Sequence, residues 1–172
     1  MSGPAYIASE DSALLRGALS RFSGGAALEI GAGNGGNLLE LSKGFGTVVG
    51  TDLVRPSMED WKGRADYVLA DGASCFKDGC FDLVAFNPPY LAEEVAVDGA
   101  TQGGEGLDVP KKFLAQGLRV AKKTGRIVFL LNDEAKVKEF EGALGTSGFA
   151  LSKIAGKRLF YEELSVFEAK AP

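Results

Sequence analysis

The chain has 172 residues, 45% of them hydrophobic and 24% charged, with a formal net charge of −4. This is the balance of a globular domain with a proper core, and its acidity excludes a surface given over wholly to nucleic acid. The absence of histidine excludes Ser-His-Asp and Cys-His catalysis, so proton chemistry must use carboxylates, lysines, tyrosines or water.

The opening "MSGPAYIASEDSALL" lacks the basic start and long apolar core of a secretory signal. No apolar run approaches the roughly 20 residues of a membrane span, and a cytoplasmic location is expected. Residues 5–22 read as a helix capped by Ser9 or Asp11, with Ala13, Leu14, Ala18, Leu19 and Phe22 along one face. A short strand at 26–31 runs into a glycine-rich turn, and 37–43 form the next helix, ended by Gly44. "GTVVGTD" is a second strand ending at Asp52, "RPSMEDWKG" a short helix or turn, and "ADYVLAD" a third strand ending at Asp71. The connection that follows carries Cys75 and Cys80 at its ends. Two cysteines without histidine support neither a disulfide framework nor a zinc site, and both read as small apolar residues.

"FDLVAF" is a fourth strand, stopped by Asn87-Pro88-Pro89-Tyr90. Residues 91–107 form a loop rich in glycine and acid, in which Glu93, Glu94 and Asp98 either shape entry for a substrate peptide or, the favoured reading, are simply solvated. A helix begins at Asp108 with Pro110 in its first turn. "GRIVFLL" is a fifth strand, a helix starts at Asn132 or Asp133, and two closing strands reverse around Ala155–Lys157. Strands alternating with helices imply a mostly parallel sheet covered on both faces. The continuously apolar runs "ALEI", "TVVG", "DLVAF" and "RIVFLL" fit strands buried on both sides. In such sheets ligands bind outside the carboxyl ends of the strands.

That edge carries the chemistry. Gly31, Gly33, Gly35 and Gly36, in "GAGNGG", let a ligand approach the backbone closely. Such a turn suits NAD, FAD, another nucleotide or S-adenosylmethionine. Asp52 can take both hydroxyls of a ribose or cap the following helix. Asp71, followed by Gly72, can accept from an adenine amino group or simply end the strand in an Asp-Gly turn. Glu29 lies inside an apolar strand, where an unpaired carboxylate costs several kcal/mol. It therefore needs a partner, such as a ligand ammonium or a backbone N–H. In "NPPY", the Asn87 side-chain oxygen and the Pro88 carbonyl can each accept one N–H of a planar nitrogen. Proline has no N–H to compete and a fixed φ. Tyr90 can stack on the flat group and sit near a cation.

"LEIGAGNGG", Asp52, Asp71 and "NPPY" together resemble the class I S-adenosylmethionine-dependent methyltransferases. Within that group "NPPY" marks enzymes that methylate a planar nitrogen, adenine N6 or the side-chain amide of glutamine. The chain is similar, over nearly its whole length, to the small archaeal and eukaryotic relatives of the HemK-type enzymes, which methylate the Gly-Gly-Gln glutamine of class I translation termination factors. "YIASEDSALLRGAL" resembles their Pro-x-Glu-Asp-Thr segment, with Ser12 in place of threonine and Ala8 near the usual proline. "GGEGLDVPKKFL" resembles their "GGxxGxxxxxxFL" element, and "SVFEAK" their last strand.

The resemblance implies an α/β, Rossmann-like sheet of seven strands in the order 3-2-1-4-5-7-6, formed by residues 1–172 as one domain with 1–25 as a helical lid. It implies S-adenosylmethionine as cofactor, leaving as S-adenosylhomocysteine, held by Ser12, Glu29, Gly31, Gly33, Asn34, Asp52, Leu53, Asp71, Gly72 and Asn87. Substrate contacts fall to Asn87, Pro88, Pro89 and Tyr90. Catalysis falls to Asn87, Pro88 and Tyr90, and no metal is expected. The acceptor expected is a release-factor glutamine, with adenine N6 of RNA or DNA, or a lysine, as alternatives. Nucleic acid is disfavoured because no recognition domain accompanies the fold. The subfamily's small zinc-binding activator subunit suggests a partner along the third strand, whose Tyr67 and Leu69 would otherwise be exposed edge apolars. Coverage by the segment carrying Trp61 is the alternative.

Overall fold

The computed structural model describes residues 10–56, 60–88, 108–131, 134–160 and 163–171. Its strands are β1 (Gly24–Ile30), β2 (Phe45–Asp52), β3 (Asp66–Leu69), β4 (Phe81–Phe86), β5 (Ala121–Leu131), β6 (Ala150–Arg158) and β7 (Glu163–Lys170). The helices are α1 (Glu10–Leu19), α2 (Gly36–Leu41), α3 (Asp108–Val120) and α4 (Glu134–Thr146). The strands form one sheet in the order β3-β2-β1-β4-β5-β7-β6, as expected. All pairings through β5 are parallel, and β7 is antiparallel to both β5 and β6.

Side chains alternate across a strand, and here both faces are apolar. Val84, Phe86, Ile127, Phe129 and Leu131 enter the layer under α3 and α4, with Leu114, Phe140 and Leu144. Leu83, Ala85, Val128 and Leu130 enter the layer under α1 and α2, with Leu15, Leu19, Leu38 and Leu41. Helices on both faces follow from this: each strand must bury two apolar sides. Phe129 stacks on Phe86 at 5.2 Å and meets Phe140 at 5.1 Å, so the last residue of β4 is wedged in an aromatic row.

Three local expectations are corrected. In α1 the buried stripe is Leu15, Ala18 and Leu19, whereas Ala13 is exposed, and the helix ends at Leu19 rather than Phe22. Asp11 lies inside the helix and is not its cap, and Ser9 lies outside the described residues. The closing strands do not reverse around Ala155–Lys157. Ala155, Gly156 and Lys157 pair with Val166, Ser165 and Leu164, and the reversal falls between Arg158 and Glu163. A register shift between Lys153 and Ala155 puts an irregularity at Ile154, just before this segment, while Gly156 itself stays in the paired ladder, where a glycine weakens a strand without ending it. β5 starts at Ala121, earlier than expected, but its continuous ladder with β4 begins at Arg126 because the register shifts between the Phe81 and Leu83 pairs. The proposed caps Asn132 and Asp133 lie outside the described residues.

Candidate functional site

β1, β2, β3 and β4 run parallel, so their carboxyl ends bring the glycine turn, Asp52, Asp71 and Asn87 to one edge of the sheet. Pro88 is buried there. Pro89 and Tyr90 lie outside the described residues, as do Glu93, Glu94 and Asp98.

The turn after β1 is left-handed at Gly31 (φ 70°) and Gly35 (φ 75°). Any side chain would be strained there, and the space is already filled. A Cβ on Gly31 would meet the Phe113 ring at 3.1 Å, and one on Gly35 would meet Trp61 at 2.2 Å. Phe113 also packs edge-on against Phe86 at 6.0 Å. One residue of α3 thus braces both the glycine turn and the strand that leads to Asn87.

Between those glycines, exposed Gly33 is held from two sides. Its N–H donates to Asp52 Oδ2 at 2.9 Å, and its carbonyl accepts from the Tyr67 hydroxyl at 2.9 Å. Asp52 Oδ1 accepts from the Val54 N–H at 3.1 Å. Burial first, then the carboxylates of Asp52 and Glu29, push the Tyr67 phenol up, so it stays a protonated donor. Beside Asp52, Leu53 is 70% exposed, an apolar face open beside the carboxylate expected to hold a ribose. Half-buried Asn34 completes the turn.

Glu29 is 2% exposed, and its partner is a side chain. Asn37 Nδ2 donates to Oε1 at 2.7 Å, in place of the ammonium or backbone N–H expected. Burial raises its carboxyl from 4.5 to about 8, against the lowering pull of the Asn37 bond and the Arg16 guanidinium. Oε2, Asn37 Oδ1 and Arg16 Nε are buried with no hydrogen-bond partner among the described residues. Arg16 of α1 lies so close over Gly36 that a Cβ there would meet its guanidinium nitrogen at 2.4 Å. Sequence reasoning missed Arg16 and Asn37, because neither stands in a motif and only the fold gathers them beneath the turn.

Asp71 Oδ2 accepts from Lys112 Nζ at 2.5 Å. Gln116 Oε1 accepts from the Ala73 N–H at 2.5 Å and sits where a Cβ on Gly72 would be, 1.8 Å away. Helix α3 therefore fixes the connection after β3. Cys75 is exposed, and the Cys80 thiol donates to the Lys77 carbonyl at 3.1 Å.

At the end of β4, Asn87 Nδ2 donates to Asp11 Oδ2 at 2.8 Å, and the Ser12 N–H donates to Asp11 Oδ1 at 2.8 Å. Asn87 Oδ1 is buried and without a partner among the described residues. A buried acceptor left unmade costs about 1–3 kcal/mol, so this oxygen is set for a donor from outside. The residues fit S-adenosylmethionine. The glycine turn and Asp52 would stand beside the ribose, and Leu53 and Asp71 beside the adenine.

The third strand pairs only with β2 among the described residues. Trp61 stacks on Tyr67 at 5.2 Å, so that half of the edge is covered from within the chain. Leu69 stays 61% exposed, alongside Leu53 and Val54 at 64%.

Residues 28–129 match the family described as methyltransferase domain. The chain is 30% identical to a putative protein N5-glutamine methyltransferase from Methanocaldococcus jannaschii, over 95% of this chain and 90% of that one. It is similar to the E. cuniculi Mtq2-Trm112 complex responsible for methylation of the eRF1 translation termination factor. That likeness has a TM-score of 0.78 and 26% identity, and it covers 97% of this chain and 98% of that one. A methyltransferase-like chain from Streptococcus mutans in complex with S-adenosylhomocysteine shares the fold, with a TM-score of 0.60, 18% identity and coverage of 95% and 99%.

Proposed function

The chain belongs to the methyltransferase-domain family, and from that premise we propose that it methylates the side-chain amide nitrogen of a glutamine in a class I translation termination factor. The observation that carries the reading is the buried Asn87 Oδ1, at the carboxyl end of β4, with no partner among the described residues. The relatives named for glutamine and for eRF1 direct the choice of acceptor.

When bound, S-adenosylmethionine supplies an electrophilic methyl on a sulfonium. An amide nitrogen is a poor nucleophile because its lone pair is delocalised into the carbonyl. Asn87 Oδ1 and the Pro88 carbonyl each take one of its two N–H groups. Holding both favours pyramidalisation and aims the lone pair at the methyl, which is catalysis by positioning and fixed dipoles. The N–H becomes acidic only once the nitrogen carries the methyl, so water suffices as proton acceptor. The proposed substrate implies a cytoplasmic site of action.

A small, zinc-binding activator subunit on the free edge of β3 is part of this proposal. Exposed Leu69 and Val54 support it, as does the relative from E. cuniculi, a complex of Mtq2 with Trm112.

The test supplies labelled S-adenosylmethionine with termination factor, bulk RNA or bulk DNA. Label should enter the factor, at the Gly-Gly-Gln glutamine. Asn87→Ala should still bind cofactor through the glycine turn, Asp52 and Asp71, and lose transfer. Label in nucleic acid alone, or full transfer by Asn87→Ala, would overturn the proposal.

A further inference from the structure

We propose that Asp11 is a positioning residue for methyl transfer: its carboxylate dictates which way the Asn87 amide faces. The inference rests on the acceptor role of Asn87 proposed above. An ionised carboxylate only accepts hydrogen bonds. With Asp11 Oδ2 at 2.8 Å from Nδ2, the Asn87 nitrogen must face α1 and Oδ1 must face away. The reverse amide orientation would set two oxygens against each other. The buried Oδ1, without a partner among the described residues, is the consequence: it is left for the acceptor nitrogen and cannot turn back for a local bond.

Both ends of this contact are rigid. Phe86, immediately before Asn87, is fully buried and stacked on Phe129 at 5.2 Å. On the other side, Leu15, Ala18 and Leu19 anchor α1 in the apolar layer, and Glu10 at its start pairs with Lys157 of β6 at 2.7 Å. The Ser12 N–H donates to the other carboxylate oxygen, Oδ1, and helps hold the Asp11 side chain in place. The helix beside the cofactor edge therefore also sets the polarity of the acceptor half of the site.

Asp11→Ala removes the constraint. Asp11→Asn retains the shape but pairs equally well with either orientation of Asn87, and it keeps the proposal testable should the alanine variant fail to fold. Two readouts are measured. In protein selectively labelled with 15N-asparagine, the Asn87 side-chain amide resonance, identified by its loss in Asn87→Ala, should shift in both variants. In turnover with the termination factor, kcat should fall by about tenfold to hundredfold for Asp11→Ala, the scale of a misplaced catalytic contact. Asp11→Asn should lie between, and both should keep the wild-type Kd for S-adenosylhomocysteine. An unmoved Asn87 amide, unchanged kcat, or cofactor affinity falling in step with kcat would overturn the role of Asp11. A wild type that methylates no termination factor would overturn the substrate reading alone, and the amide resonance would still decide Asp11.

Discussion

Glu29→Gln should change how stability depends on pH. The buried carboxyl titrates at about 8 in the fold, against 4.5 for the unrestrained group. A raised value means that the folded chain binds the proton more tightly than the unfolded chain. The stabilisation linked to that proton is complete below pH 4.5, erodes as pH rises, and is gone above about 8. Each pH unit between those two values corresponds to about 1.4 kcal/mol, so the whole span is worth about 5 kcal/mol. Between pH 6 and pH 8 the loss should be about 2 kcal/mol. Glutamine keeps the oxygen that accepts from Asn37 and cannot ionise. Its cost, a buried donor where Oε2 now lies, is the same at every pH. Urea unfolding of both proteins without cofactor, at pH 6, 7 and 8, separates the two effects: the curves should converge as pH rises, by about 2 kcal/mol across the range. Parallel curves would mean that Glu29 is ionised in the fold, and that water or Arg16 reaches Oε2.

Three further outcomes follow from the site and its surroundings. Gly35→Ala places a Cβ at φ 75° and 2.2 Å from Trp61, which should cost about 2–4 kcal/mol from backbone strain and overpacking together. A urea midpoint within error of wild type would show that Trp61 moves freely. Asp52→Ala releases the Gly33 N–H and removes the ribose acceptor, so the Kd for S-adenosylhomocysteine by calorimetry should rise at least about tenfold, the weight of a charged hydrogen bond. Leu69→Lys, at a position 61% exposed, should alter the stability of the chain alone by under about 0.5 kcal/mol. It should abolish co-purification with an activator subunit, and retained pairing would move that partner off the β3 edge.

Much of the fold was legible in the sequence because its strands are buried on both sides. "DLVAF" and "RIVFLL" are continuously apolar, and only a parallel sheet between helix layers buries both faces. The strand order came from resemblance to a known family and matches the sheet found. Gly156 misled the reading of the closing strands: a glycine announces backbone freedom, but here it stays in the regular ladder opposite Ser165, where a strand tolerates it without turning. Ala13 and Leu15 exchanged places for a similar reason, since one short helix admits neighbouring stripes until a sheet is set against it.

Residue type and place in the chain by themselves marked Glu29, the glycine turn, Asp52, Asp71 and Asn87, because motifs are contiguous and strand ends are punctuated. Who pairs with whom was decided only in three dimensions. Asn37, in the first turn of α2, reaches back across the glycine turn to Glu29, Tyr67 reaches Gly33 from the edge strand, and Asp11 meets Asn87 across most of the first half of the chain. A hydrogen bond acts over about 3 Å whatever the separation in sequence, and no local pattern records it. The sequence named the groups that can hold a donor and an acceptor. The packing of α1 and α3 onto the sheet decided which of their atoms are already satisfied and which stay buried with a bond still to make.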